Sequence, residues 1–164
     1  MNQNFLEKRI DGAKLIDAVC KAAILNKNTS KDFKTGGSES TGLTAQLSEK
    51  LKSKNVLSLF FSKKDCHAQL VQRSEGLLKL LIGQKALNDE EMELVWSCTR
   101  LDEAICLNFY KALNEIGTQI GYDEIYFFIE KIVEKATVNT KSQEVELLQS
   151  LATKSVGKAN SNRN

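Results

Sequence analysis

The stretch "LNDEEMELVWSCTRLDEAICLNFYKALNEI", Leu87 to Ile116, holds two helices and the turn between them. Asn88, with Glu91 three residues later, has the spacing of a capping box, and Leu87 and Met92 flank it as a hydrophobic staple. Asp89, Glu90 and Glu91 fall in the first turn, where the helix dipole favours carboxylates. The acidic cluster therefore has a structural explanation and requires neither a metal nor a catalytic pair. Leu94, Val95 and Cys98 continue a buried side, and Trp96, the chain's one tryptophan, is expected to pack at the edge of that face. Asp102 is placed to cap the second helix, with Ile105, Phe109, Ala112, Leu113 and Ile116 turned inward at three- and four-residue steps.

The same pattern extends in both directions. "NFLEKRIDGAKLIDAVCKAAIL" predicts a first helix whose stripe is Phe5, Leu6, Ile10, Ala13, Ile16, Val19, Cys20, Ala23 and Ile24. Gly12 weakens that helix by up to about 1 kcal/mol and suggests close approach of a neighbour. From Asn26 to Gly42, Gly, Ser and Thr dominate and periodicity vanishes, which predicts one long loop. Its "GGSESTG" run lacks the Gly-Lys-Ser/Thr ending and the preceding strand of a phosphate loop. Helix resumes with a Leu43, Leu47, Leu51 stripe, Asn55 breaks it, and Val56, Leu57, Phe60 and Phe61 form a short helix. Asp65 is the expected N-cap of "CHAQLVQRSEGLLKLLIGQK", which buries Leu70, Leu77, Leu78 and Leu81 and stops near Gly83.

Beyond Gly117, "YDEIYFFIEKIVEKA" places Ile125, Phe128, Ile129 and Ile132 on one side. Tyr122, Tyr126 and Phe127 are the candidate binding residues, since exposed aromatics anchor partners; packing on a neighbouring helix is the plainer reading. Thr140 with Gln143 gives a second capping box, and the polar tail from residue 154 is expected to be disordered. No segment alternates as a strand does. The expectation is an all-α domain over residues 4–153 with seven or eight short helices, either a bundle or a solenoid of helix pairs.

Composition narrows function. The 164 residues carry a net charge of +2, divided unevenly: +6 over residues 1–64 and −4 over 65–164. A basic first half could meet an acidic partner, but no aromatics alternate with Lys50, Lys52, Lys54, Lys63 and Lys64 as a base-stacking surface requires, so no nucleic acid is expected. Proline is absent, where average usage gives about eight, so nothing kinks or forbids helix. No secretory leader or membrane span is visible, which predicts a cytoplasmic or nuclear chain with reduced thiols. Cys20, Cys66, Cys98 and Cys106 are scattered without a Cys-x-x-Cys pair, and His67 is the one histidine, so no metal or cofactor is expected. Cys66-His67 are adjacent on a helix and point about 100° apart, the wrong arrangement for a thiol and its base. No catalytic residue is assigned.

Several blocks together resemble one family. "NFLEKRIDGAKLID", "LKSKNVLSLFF", "HAQLVQRSEGLLKLL" and the Leu87–Ile116 stretch are similar, in order and spacing, to the non-catalytic armadillo-like helical region of the very large ubiquitin-specific proteases of the fat-facets type. The matching positions are Phe5 to Arg9, Asn55 to Leu57, His67 to Ser74, Leu87 to Trp96, and Glu103-Ala104, covering about residues 4 to 134. Thr99 to Asp102 depart from the family's Gly-Lys-His-like run there. The resemblance implies an armadillo/HEAT-like array, Trp96 in a repeat core, His67 as a structural position early in a helix, and a scaffold role in ubiquitin removal with protein partners. The family's Cys box and His box are absent from this chain.

Overall fold

A computed structural model describes residues 3–32, 39–117, 121–135 and 142–161. Among these, every regular element is helical. They are α1 (Gln3–Asp32), α2 (Glu39–Ser53), α3 (Val56–Phe61), α4 (Ala68–Gln72), α5 (Glu75–Gly83), α6 (Asp89–Ser97), a single 3-10 turn (Cys98–Arg100), α7 (Glu103–Ile116), α8 (Tyr122–Lys135) and α9 (Ser142–Ser161). The all-α array holds, with nine α-helices where seven or eight were expected.

The extra helix comes from a break in the fourth expected one. The α4 helix ends at Arg73, and Ser74, fully buried, turns its Oγ back to the Val71 carbonyl at 2.7 Å. A serine that satisfies its hydroxyl on local backbone competes with the helix ladder. The start also moves. Asp65 does not cap; His67 does, in extended backbone, with Nδ1 accepting the Gln69 N–H at 3.3 Å.

The long loop is shorter than expected. The α1 helix continues to Asp32 and α2 begins at Glu39; residues 33–38 of the expected 26–42 loop lie outside the described residues. Without proline a nucleated helix propagates, because each Ser, Asn or Thr costs only tenths of a kcal/mol against alanine, about 0.7 at most. For the same reason α9 runs to Ser161, through most of the expected disordered tail. Thr140 of the second expected capping box lies outside the described residues.

The signals around Leu87–Ile116 read correctly. Asn88 Oδ1 accepts the Glu91 N–H at 2.8 Å while Glu91 Oε2 accepts the Asn88 N–H at 2.9 Å, completing the capping box. Asp102 Oδ1 accepts the Ile105 N–H at 2.8 Å. Asn55 ends α2's run in left-handed backbone, φ 50°. Lys52, expected on a solvated face, instead reaches Glu91 at 3.0 Å and the Ala86 carbonyl, tying α2 to the start of α6.

The helices follow one another as an array. The α1 helix packs on α2, α4 and α5; α3 touches α2, α4 and α6; α7 lies against α4, α5 and α9; and α8 pairs with α9. Trp96 sits at the centre of the core, not at an edge. It is 1% exposed, with ring centroids 6.2 Å from Phe109, 6.3 Å from Tyr110 and 6.4 Å from Phe128. Rings at these separations contribute about 0.5–1.5 kcal/mol per pair beyond the area they bury.

Close approach of backbones occurs at Gly76, not Gly12. A β-carbon on Gly12 would meet nothing within 4 Å, because Gly12 borders an open cleft of about 130 Å³ shared with Arg9, Ala13, Ile16, Leu59, Phe60 and Leu70. A β-carbon on Gly76 would lie 2.8 Å from the Asp17 carbonyl oxygen. That contact brings α5 against α1, and Asp17 Oδ1 accepts the Gly76 N–H at 2.8 Å, a cap supplied from another helix. Lys21 bridges Asp17 (3.0 Å) and Glu75 (2.9 Å); burial works against its charge, but hydrogen bonds to the two carboxylates prevail and hold its pKa above the usual lysine value.

Candidate interaction surface

The α1 helix is apolar on two sides. Its inner side is built from small or slender residues, Ala13, Ile16, Cys20, Ala23 and Ile24. At 100° per residue, Leu15, Ala18, Val19, Ala22 and Leu25 occupy an arc of about 120° roughly opposite. All five are exposed, Leu15 at 70%, Leu25 at 63% and Val19 at 53%. Val19 and Phe5, both assigned to the buried stripe from sequence, therefore face out. Phe5 has the Arg9 guanidinium 5.9 Å above its ring.

The α2 helix exposes an apolar residue of its own. Leu43, expected inward, is 51% exposed, while Thr44 and Ser48 are buried and Leu47 and Leu51 are partly covered. The buried stripe is thus rotated by one residue, and small hydroxyl side chains take the place against the neighbouring helices. The signal was present in the sequence: a helix whose apolar residues occur all round cannot bury them all on one neighbour.

The candidate aromatics of α8 fall into three situations. The side chain of Tyr122 lies outside the described residues. Tyr126 is 76% exposed, with Val133 exposed two turns later on the same side. Phe127 is half-buried, edge-on to Phe128 at 5.4 Å and 5.5 Å beneath the Lys131 ammonium, so it packs. Lys131 is also bonded to Glu93 at 3.2 Å, and that carboxylate raises its pKa. The structure brings Tyr126 and Val133 onto one surface and turns Phe127 away from it.

The cysteines are not scattered in space. Cys98 is fully buried in the core, and Cys66 and Cys106, from the turn before α4 and from α7, pack half-buried against that same core. Tyr110, whose hydroxyl donates to Glu144 Oε1 at 3.2 Å, adjoins Cys106. Burial pushes the Tyr110 hydroxyl well above its ordinary value, and Cys106 and Glu144 add to it. Among the described residues no group of three His, Cys, Asp or Glu side chains is arranged to hold a metal ion, and no helix is long and apolar enough to cross a membrane.

Comparison with protein-family models, with curated proteins and with solved structures finds no match to this chain.

Proposed function

We propose that the chain is a non-catalytic armadillo-like scaffold segment of, or derived from, a large ubiquitin carboxyl-terminal hydrolase, and that it binds proteins in the course of ubiquitin removal. The observation that carries the binding role is the outer face of α1, where Leu15, Val19 and Leu25 form an apolar stripe that no other described residue covers. Contiguous apolar surface of this kind marks contact sites. The ubiquitin context rests on the resemblance of the blocks between residues 4 and 134. A free-standing adaptor that kept the helical module is the second reading.

One experiment separates these. An antibody to residues 43–135 is used to precipitate the protein from its native source, and the precipitate is treated with a cysteine-reactive ubiquitin probe. Labelling of a polypeptide far larger than 18.3 kDa that carries the epitope is the expected result. An unlabelled band at 18.3 kDa would remove the protease context and leave the adaptor. Retention on a polyanion column with steep salt dependence would instead favour a nucleic-acid role for the basic half.

A further inference from the structure

The cleft beside Gly12 holds a cation that no described residue neutralises. Residues of α1, α3 and α4 line it, and Ala13, Ile16, Phe60 and Leu70 make its walls apolar. Arg9 brings the one charge among the lining residues. Its guanidinium is fixed at one end, where Nη2 donates to the Leu59 carbonyl at 2.6 Å, and its centre stands 5.9 Å from the middle of the Phe5 ring. Nη1, at the other end, is buried and has no hydrogen-bond partner among the described residues. No described carboxylate forms an ion pair with Arg9. A buried charge without a counter-charge is costly, and so is a buried donor left unmade. The Leu59 bond explains why Arg9 is held against α3. It leaves the second nitrogen and the uncompensated charge without a purpose.

We propose that this cleft binds a carboxylate carried on a short branched aliphatic group, with the carboxylate on the Arg9 guanidinium and the aliphatic part among Ile16, Phe60 and Leu70. Charge selects the head. A guanidinium matches the two oxygens of a carboxylate, and such charge-assisted bonds are about twice as strong as neutral ones. A phosphate suits the guanidinium equally, but these walls offer its remaining oxygens no donor. Size selects the tail. The cleft's volume is about 130 Å³. An apolar cavity of about 150 Å³ holds benzene, so the tail has about five or six carbons. Gly12 keeps the space open, since a β-carbon there would meet nothing within 4 Å. The balance of +6 over residues 1–64 favours the approach of an anion. At 100° per residue the cleft lies about 130° around α1 from the outer stripe, so this site is separate from the face proposed to bind proteins.

A free short-chain acid and the C-terminal leucine of a peptide present the same chemistry. The isotope-labelled full-length protein is therefore titrated with isocaproate, which is leucine without its amino group, and followed by NMR. Saturable shifts are expected at the Gly12 amide, the Arg9 Nε–H and the Leu59 and Leu70 methyls. Isocaproamide, equal in shape but uncharged, should bind at least about tenfold more weakly, and Arg9→Met should weaken isocaproate to the same degree. Gly12→Leu places a side chain in the open space and should abolish binding. It leaves Arg9 in place and exchanges glycine for a better helix former, so it decides even if Arg9→Met does not fold. An acetylated tetrapeptide ending in leucine is run in parallel. Tighter binding than the free acid assigns the site to protein C-termini, and weaker binding assigns it to small acids. Shifts that do not saturate, an amide that matches the acid, or Gly12→Leu that binds as wild type does would each overturn the proposal.

Discussion

Helices α1 and α7 are both rich in apolar residues and spend them differently. In α7 the large residues, Ile105, Phe109, Leu113 and Ile116, are all buried on one side, and the helix begins at its own Asp102 cap. In α1 the fully buried residues are small, Ala13, Cys20 and Ala23, while Leu15, Val19 and Leu25 face away from the protein. Small residues let α5 come close, and the large ones are left for something else. Apolar content alone therefore does not mark the core; side-chain size on each face of the helix separates folding from contact.

The largest expected effect tests that separation directly. Phe109→Ala should lower unfolding free energy by about 3–5 kcal/mol, since it empties a site at the centre of the aromatic cluster. Leu15→Ala should change it by less than about 0.5 kcal/mol. Urea unfolding of the two variants measures both. A comparable loss in Leu15→Ala, growing with protein concentration, would mean the outer face is covered in solution and the contrast between the helices is false.

A smaller effect sharpens the same contrast from inside α1. Burial, with help from the Asp17 carboxylate, pushes the Cys20 thiol up to about 12. An unfolded cysteine releases its proton near about 8.5. The folded value is raised, so the contribution is complete below the unfolded pKa and is lost as pH rises toward the folded one. The slope is at most about 1.4 kcal/mol per pH unit. Between pH 7.5 and pH 10, wild type should therefore lose about 2 kcal/mol more than Cys20→Ala in urea unfolding. Tyr110 and Lys21, also raised, act in both proteins and cancel in the difference. Parallel pH profiles would show that Cys20 does not hold its proton, and that α1 packs loosely against α5.

Much of this architecture was legible in the sequence wherever local chemistry decides it. The Asn88–Glu91 box, the Asp102 cap, the Asn55 break and the inward face of α7 each depend on residues within one or two turns. Tyr126 was legible as an exposed aromatic, but Phe127 was not separable from it, because only the position of Phe128 and Lys131 tells which ring packs. The exposed stripe of α1 was hidden by the strength of the buried one beside it. That Cys66, Cys98 and Cys106 all border one core was out of reach, because it depends on how distant elements pack, which no local spacing encodes.

The smallest effect concerns the contact that allows α1 to bury small residues at all. In a helix interior, Gly→Ala ordinarily stabilises, by about 0.5–1 kcal/mol. At Gly76 the new methyl would lie 2.8 Å from the Asp17 carbonyl oxygen, a backbone atom that cannot swing aside as the Asp17 carboxylate at 2.7 Å can. Overpacking of this kind costs about 1–3 kcal/mol and outweighs the helical gain. Gly76→Ala should therefore destabilise by about 1–2 kcal/mol, whereas Gly12→Ala, which meets nothing within 4 Å, should stabilise. Both shifts are measurable as urea midpoints. If Gly76→Ala were also stabilising, α5 would not approach α1 closely. The small residues of α1 would then lack a tight partner, and its two faces would differ less than the contrast with α7 requires.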